Sequence, residues 1–359
     1  MSKTPRHLRW LVGGVVGFSL LGACGAPEER QENAPEQSAP EARAGEVAVS
    51  LSVGASALSA KDELQVTVTL TNVSGHTVKL LKWHTPVEGL EEPLFAVTRD
   101  GVAVDYIGKH AKRAAPSEAD YVKLAAGESL TRTVSLAGAY DLSVTGSYSV
   151  SYAGEEHEGA TQFTSNSVTL WVEGRANVVE SGDREVTASA LSFTNCTSTQ
   201  QSTITSAISA AKSMASNSLS YLTNTTPGNT SRYKTWFGTY SSTNWSTAKS
   251  HFNAINSAFN NQNVVVDCSC KQSYYAYVYP TQPYKIYVCN AFWSAPMTGT
   301  DSKGGTLVHE MSHFNVVAAT DDHAYGQTAA KNLAVSSPTK ALDNADNHEY
   351  FAENTPSLP

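Results

Sequence analysis

Two histidines spaced four residues apart, with a glutamate beside the first, form the densest cluster of metal-ligand side chains in the sequence. His309, Glu310 and His313 lie in an apolar stretch, residues 306–314, that favours a helix. Residues four apart share one face of a helix, so both imidazoles can contact a single zinc ion. Glu310 then lies beside the open position of the metal, where it can take a proton from an attacking water. The pattern predicts a hydrolytic zinc site.

A catalytic zinc needs a third protein ligand, and candidates follow the histidine pair. Asp322 lies nine residues after His313, and it is flanked by Asp321 and His323. Histidine is intrinsically the stronger zinc ligand, so His323 competes with Asp322 for this role. Asp321 is expected to be solvated or to contact a ligand histidine. The residue types alone leave the choice between Asp322 and His323 open.

This region resembles the aspzincin metallopeptidases, the deuterolysin and peptidyl-Lys metalloendopeptidase family. Members combine the zinc helix with the motif Gly-Thr-x-Asp-x-x-Tyr-Gly, and residues 319–326 here read ATDDHAYG. The resemblance implies one Zn²⁺ per chain with Asp322 as the third ligand, and it implies that Tyr325 supports the oxyanion of the tetrahedral intermediate. Ala319 replaces the glycine of the family motif. Alanine tolerates a positive φ poorly, which affects the expected turn but not the ligand.

The C-terminal segment resembles the same family. Residues 344–354, NADNHEYFAEN, are similar to the fungal peptidyl-Lys enzymes, and the resemblance implies that Asp346 and Glu349 line the pocket for the residue after the scissile bond. Two carboxylates three apart on a helix also form a compact negative site that a lysine ammonium can enter. A solvated acidic helix face is the alternative.

The residues that could carry this chemistry all lie in the second half of the chain. Apolar positions at helical spacing predict helices near 199–223 and 243–260, followed by aromatic strands between residues 264 and 288. Helices are predicted again from Gly304 to the end. Together with the resemblance, these patterns predict an α+β, mainly helical catalytic domain of the zincin type over residues 190–359.

A period of two dominates the first half. Apolar and polar side chains alternate at residues 64–70, 148–152 and 168–172, which is typical of half-buried antiparallel strands. An all-β sandwich is therefore predicted over residues 47–173. Segments of it resemble the propeptides of fungal aspzincins, so we expect a prodomain, followed by a linker and processing region at 174–189.

The predicted sandwich contains four histidines, and none has the spacing of a metal ligand. They are His76, His84, His110 and His157. We therefore expect them to lie at the surface or to pack between strands.

The five cysteines comprise Cys24 and four in the second domain. An even number in an exported chain indicates two disulfides. Cys268 and Cys270 are too close to bridge easily to each other, so they are expected to have different partners. We favour Cys196 with Cys268 and Cys270 with Cys289.

The N-terminus carries an export signal. Basic residues precede an apolar run at 10–23, which is shorter than the roughly 20 residues that span a bilayer. The run ends in LGAC, which resembles a bacterial lipobox and implies cleavage before Cys24 and lipidation of its thiol. Residues 1–23 are thus predicted to be a lipoprotein signal peptide and residues 24–46 a disordered tether.

Composition narrows the set of partners. The formal net charge is −8, so no basic surface is available to neutralise a nucleic acid backbone. Only 16% of residues are charged, which suits an exported protein. We expect protein or peptide substrates, a monomer, and a membrane contact only through the lipid on Cys24, with the precursor at the bacterial cell envelope and the mature domain outside the cell.

The leading hypothesis is a secreted zinc endopeptidase that cuts on the amino side of lysine, with Glu310 as general base. An aspzincin of broader specificity is the alternative within this class. A surface-binding lipoprotein with an inactive peptidase domain is the alternative from another class. It is disfavoured because a binding module has no need of the histidine pair, Glu310 and Asp322 together.

The lysine distribution bears on maturation. No lysine occurs between Lys123 and Lys212, so a strictly lysine-directed enzyme cannot cut its own linker. The polar linker contains two arginines and has the composition of a nicking site. We expect another protease, or relaxed cleavage at arginine, to sever the chain between about Glu173 and Thr194 and release the catalytic domain from the lipid.

Overall fold

The computed structural model describes residues 39–154, 163–174 and 190–359. The expected signal peptide, Cys24, most of the expected tether, His157 and nearly all of the processing linker lie outside these residues. Within the described ranges, no helix is both long enough and apolar enough to cross a membrane.

The first part of the described chain is an all-β sandwich, as the alternating pattern predicts. The strands of this part are β1 (Val47–Val53), β2 (Ala57–Leu58), β3 (Gln65–Asn72), β4 (Val78–Leu81), β5 (Phe95–Arg99), β6 (Val102–Ala103), β7 (His110–Lys112), β8 (Tyr121–Leu124), β9 (Ser129–Ser135), β10 (Gly146–Gly154), β11 (Phe163–Thr164) and β12 (Val168–Val172). One sheet has the strand order β1–β3–β9, a second has the order β2–β12–β10–β5–β6, and β4 pairs with β8. Apolar side chains of the first two sheets, among them Val66, Val68 and Tyr148, form one buried core.

Residues 39–46 differ from the expected disordered tether, because they pack on this sandwich. The backbone N–H of Ala42 donates to the carbonyl of Lys79 at 3.1 Å, and the N–H of Lys79 donates to the carbonyl of Pro40 at 2.9 Å. Main-chain hydrogen bonds along the edge of β4 hold the segment, and composition does not reveal such bonds.

The second part is mainly helical around a small sheet. The helices expected near 199–223 and 243–260 are α1 and α3, whereas the short α2 and α4 carry no clear helical signal in the sequence. The strands here are β13 (Leu191–Thr194), β14 (Val264–Asp267), β15 (Ala276–Val278) and β16 (Lys285–Val288). The helices are α1 (Ser198–Asn224), α2 (Ser231–Phe237), α3 (Ser242–Asn261), α4 (Asn290–Ser294), α5 (Lys303–His313), α6 (Gln327–Ser336), α7 (Pro338–Leu342) and α8 (Ala345–Glu353).

Helix α5 lies at the centre of this part, and every one of its residues is buried. It begins after Ser302, whose hydroxyl accepts the N–H of Gly305 and so caps the first turn. Leu307 and Val308 of α5 share a buried core with Ile204 of α1 and Phe351 of α8. The helix that carries the histidine pair is therefore fixed from several sides.

Both favoured disulfides are present. Cys196 pairs with Cys268 and links the start of α1 to the end of β14. Cys270 pairs with Cys289, which lies immediately before α4. Because Cys268 and Cys270 both follow β14, the two disulfides link the start of α1 and the start of α4 to the C-terminal end of that strand.

The sheet of the second part includes a strand from the first. Among the described residues its order is β13–β14–β16–β15–β7. β7 pairs antiparallel with β15, with Lys112 opposite Ala276, Ala111 opposite Tyr277 and His110 opposite Val278. No pattern in the sequence predicts this pairing, which brings the sandwich to the sheet edge of the second part.

Candidate active site

The histidine pair and Asp322 come together at the C-terminal end of α5. His309 and His313 are one turn apart, with ring centroids separated by 4.8 Å. Oδ1 of Asp322 lies 3.2 Å from Nε2 of His309, and its Oδ2 lies 3.4 Å from Nε2 of His313. All three side chains are buried. Two imidazole nitrogens and one carboxylate therefore face a common point.

Contacts behind the two rings leave each Nε2 free to act as a ligand. Nδ1 of His313 donates to the carbonyl of Thr320 at 2.6 Å, because a carbonyl oxygen can only accept. Nδ1 of His309 lies 2.9 Å from Oδ1 of Asp346 and 3.4 Å from Oε2 of Glu349, which favours a proton on that nitrogen too. Partners of this kind fix the tautomer and ring orientation of metal-bound histidines.

The donor set fits a zinc ion. In the described part of the chain, Nε2 of His309, Nε2 of His313 and both carboxylate oxygens of Asp322 have no hydrogen-bond partner. Buried polar atoms are rarely left without partners, since the loss of hydration is costly. Two imidazoles and a carboxylate are also ligands that a catalytic zinc uses, with a fourth position left open.

The rival candidates have other neighbours. Nε2 of His323 lies 2.9 Å from Oδ2 of Asp343, and its backbone N–H donates to Oδ1 of Asn344 at 2.8 Å. The side chain of Asp321 is 44% exposed. His323 and Asp321 thus group with Asp343 beside the histidine pair. Ala319, the departure from the family motif, takes a φ of 50°, the left-handed conformation that glycine would adopt more easily.

Glu310 is buried with one oxygen engaged. Its Oε1 accepts the backbone N–H of Lys112 at 3.3 Å, and its Oε2 has no partner among the described residues. Burial raises the pKa of Glu310 to about 7. A carboxylate with a pKa near neutrality is suited to accept and then return a proton.

Asp346 and Glu349 form an acidic pocket, and the side chain of Lys112 fills it. The ammonium lies 3.0 Å from Oδ1 of Asp346 and 2.8 Å from Oε2 of Glu349, and 3.0 Å from Oδ1 of Asp301. Lys112 is completely buried. Burial alone would lower its pKa, but the charges of Asp346 and Glu349 raise that pKa well above its ordinary value. The lysine therefore stays charged inside the protein.

The backbone around Lys112 runs along β15 as an added strand. The N–H of Tyr275 donates to the carbonyl of Lys112 at 3.0 Å, next to the three-residue pairing of β7 with β15. Proteins often bind extended peptides by adding them to a sheet edge in this way. The Ala111–Lys112 peptide bond consequently lies beside Glu310.

His110 corrects one expectation from the sequence. It is buried, and its ring lies 4.9 Å from that of His313, so it packs against the catalytic helix and neither lies at the surface nor packs merely between strands of the sandwich. Its environment follows from the pairing of β7 with β15. No spacing in the sequence marks His110. The one available signal is a lysine two residues later, within a region expected to be the prodomain of a lysine-directed enzyme.

Tyr325 also contacts the sandwich. Its hydroxyl donates to Oε1 of Glu92 at 2.9 Å, and Nε of Arg113 donates to the same oxygen at 3.1 Å. The Arg113 guanidinium lies 5.0 Å from the centre of the Trp83 ring. Tyr325 is part of a recognisable sequence motif, whereas Glu92 and Arg113 lie in the sandwich and carry no motif.

The family model and the sequence relatives indicate one family. The family model described as lysine-specific metallo-endopeptidase, the aspzincin group, matches residues 221–353. An extracellular protease of Aeromonas hydrophila is 51% identical over 314 residues, which cover 82% of this chain and 89% of that protein. A peptidyl-Lys metalloendopeptidase of Armillaria mellea is 39% identical over 332 residues, which cover 85% of this chain and 91% of that protein. The solved structure of a zinc peptidase from Grifola frondosa is 51% identical, covers 46% of this chain and 100% of its own, and gives a TM-score of 0.44.

Proposed function

The chain belongs to the aspzincin family of zinc metalloendopeptidases, and on that premise we propose that it hydrolyses peptide bonds on the amino side of lysine. The observation that carries this proposal is the placement of Lys112. Its ammonium fills a buried pocket between Asp346 and Glu349, while its backbone nitrogen lies against Glu310. A substrate lysine in the same position would present its own amide bond to the catalytic base.

The pocket explains why lysine is preferred. Desolvating a charge is costly unless partners of opposite charge replace the lost water. Asp346 and Glu349 supply such partners, and both are completely buried. A neutral side chain would leave these carboxylates buried without a counter-charge, so binding it would be penalised.

The chain's residues divide the catalytic work. Zinc held by His309, His313 and Asp322 would polarise the substrate carbonyl and lower the pKa of the attacking water. Glu310 takes the proton from that water and passes it to the leaving amine, whose position the backbone nitrogen of Lys112 marks. Tyr325, once its hydroxyl leaves Glu92, donates to the oxyanion that develops on the carbonyl.

We also infer that residues 47–173 are a prodomain that keeps the precursor latent. β7 occupies the sheet edge that a substrate would use, and Lys112 fills the lysine pocket. Glu92 engages the hydroxyl of Tyr325 at the same time. Access to the site would therefore require the sandwich to move away, and cleavage of the linker would leave it held by these non-covalent contacts alone. We propose secretion with lipidation at Cys24, and the name of the Aeromonas hydrophila relative, extracellular protease, supports secretion.

The decisive experiment is a digestion. A protein of known sequence is incubated with the processed enzyme, and the new N-termini are sequenced. Lysine at nearly every new N-terminus is expected. New N-termini of many residue types would instead favour an aspzincin of broader specificity.

A further inference from the structure

A third carboxylate reaches the lysine in the acidic pocket. Oδ1 of Asp301 lies 3.0 Å from Nζ of Lys112, as close as Asp346 and nearly as close as Glu349. Asp301 precedes α5, whereas the other two lie on α8. An ammonium group has three N–H donors, so three carboxylates from two sides can each take one.

Asp301 is held in place by neighbours on α8. The hydroxyl of Tyr350 donates to its Oδ1 at 2.6 Å, and its backbone N–H donates to Oε2 of Glu353 at 3.2 Å. Glu353 also accepts the N–H and hydroxyl of Ser302, each at 2.8 Å, and so anchors the start of α5. The carboxylate is therefore set in position before a lysine arrives, which lowers the entropic cost of binding it.

Asp301 differs from the other two carboxylates in its remaining contacts. Asp346 and Glu349 lie 2.9 Å and 3.4 Å from Nδ1 of His309, so part of their role is to orient a zinc ligand. The ion-pair and hydrogen-bond partners of the Asp301 side chain, among the described residues, are Lys112 and Tyr350. Lys112 is thus the only cationic partner of the Asp301 carboxylate among these residues, and Asp301 has no contact with a zinc-ligand histidine there.

We propose that Asp301 is a specificity-determining residue that selects lysine after the scissile bond. Three carboxylates converging on one point match a compact ammonium, whereas a planar guanidinium spreads its donors over a wider fork. Asp301 thereby separates lysine from neutral residues and also from arginine. This inference rests on the proposed lysine specificity of the same site.

The test compares the processed wild-type enzyme with Asp301→Asn, which keeps the shape and removes the charge. Three peptides differ only in the residue after the scissile bond, which is lysine, arginine or methionine. For the lysine peptide we expect kcat/KM to fall by about tenfold or more, mainly through KM, because a charge-assisted contact made equally in the bound and transition states is lost. The methionine peptide should change by less than about twofold. The kcat/KM of the arginine peptide should therefore rise relative to that of the lysine peptide.

Two further measurements separate a change in specificity from a loss of folding or of zinc binding. Zinc content and the urea midpoint of Asp301→Asn should match the wild type. Tyr350→Phe keeps the ring but removes the hydroxyl that holds Asp301, so it should show a smaller loss for lysine alone. If Asp301→Asn fails to fold, Tyr350→Phe decides the question.

The outcomes distinguish this inference from the proposed function. A wild-type enzyme without lysine preference would overturn the proposed function itself. The role of Asp301 alone would be overturned if the wild type preferred lysine and the Asp301→Asn variant kept that preference. An equal fall in kcat/KM for all three peptides in the variant would overturn it as well.

Discussion

The backbone N–H of Lys112 donates to Oε1 of Glu310, a residue 198 positions further along the chain. The ammonium of the same lysine lies 2.8 Å from Glu349. One residue of the sandwich thus contacts both the carboxylate assigned to the chemistry and the pocket assigned to specificity. In the function proposed above, a substrate lysine takes the place of Lys112, so hydrolysis and this contact would exclude each other.

Replacing Lys112 should therefore weaken the latency of the uncut precursor. In Lys112→Met the acidic pocket loses its counter-charge, and leaving buried carboxylates unpaired costs about 3 kcal/mol or more. We expect the uncut variant to cleave a short lysine peptide at least about tenfold faster than the uncut wild type. Initial rates are measured while gels show that the chain is intact.

Lys123→Met is the matched control, because Lys123 is an exposed residue on β8 of the same sandwich. It should leave the rate of the uncut precursor unchanged. Equal rates for the Lys112→Met variant and the wild type would show that Lys112 does not keep the precursor closed.

Metal analysis should find one zinc per chain that depends on Asp322. Asp322→Ala removes the carboxylate that lies between the two Nε2 atoms, so the variant should lose most of its zinc. His323→Ala should keep its zinc, because its ring lies against Asp343. Full zinc and full activity in Asp322→Ala would transfer the ligand role to His323.

Glu310→Gln should keep stoichiometric zinc and lose nearly all turnover, by about a thousandfold or more, since the amide cannot take a proton from the attacking water. Zinc content and single-turnover rates on a lysine peptide measure the two effects separately. Substantial turnover in this variant would contradict the role of Glu310 as general base.

The double variant Asp346→Asn with Glu349→Gln should reduce discrimination of lysine over a neutral residue by roughly tenfold or more. The same carboxylates lie against Nδ1 of His309, so we also expect zinc affinity to fall by about 10- to 100-fold. Competition with a chelator measures the affinity, and matched peptides measure the selectivity at saturating zinc. Unchanged selectivity would exclude this pocket.

From the residues alone, the sequence predicts the parts of the site that have local geometry, and the family resemblance adds the roles of Asp322, Tyr325, Asp346 and Glu349. His309 and His313 share a helix face because of their spacing alone, and the alternation near Val66 and Val68 is enough to predict strands. The contact of Lys112 with Glu310 depends on pairing between a three-residue strand and a partner far along the chain, and so short a strand has no periodic pattern. Asp301 lies before α5 in a segment without a motif, so only the fold shows that it faces the pocket.

A buried histidine near the site, His348, should make stability depend on pH. Nδ1 of His348 donates to the carbonyl of Asn344, and its Nε2 lies 3.0 Å from Nδ1 of His251. Burial lowers the pKa of His348 to about 3. Between pH 6.5 and 3 the unfolded chain therefore binds a proton that the folded chain does not, so stability is lost as the pH falls.

The predicted size of this effect is testable. At pH 5.5, one unit below the ordinary pKa of histidine, the low pKa of His348 in the folded state should reduce the free energy of unfolding by about 1.4 kcal/mol relative to high pH. Urea unfolding of the Glu310→Gln precursor at pH 7.5 and 5.5 measures the change. A His348→Gln version should lose less stability over the same interval, and an equal loss in both would exclude His348 as the cause.

Maturation should require a protease of different specificity. Lys123 lies in β8 and Lys212 lies in α1, and a protease that binds substrates as extended strands cannot cut a helix or a paired strand without unfolding it. Lys112 contacts Glu310, Asp346 and Glu349 of its own chain and is completely buried. Between Lys123 and Lys212 the linker has arginines but no lysine.

The experiment uses the Glu310→Gln precursor, expressed in a host that lacks the native proteases, so that it cannot process itself. Adding purified active enzyme should leave the linker uncut, because no lysine lies between Lys123 and Lys212. Adding an arginine-directed protease should cut between about Glu173 and Thr194 and release a catalytic domain free of the lipid on Cys24, which N-terminal sequencing and mass measurement identify. If the active enzyme alone produced the mature form by cutting before Lys123 or Lys212, processing of the linker by a different specificity would be wrong.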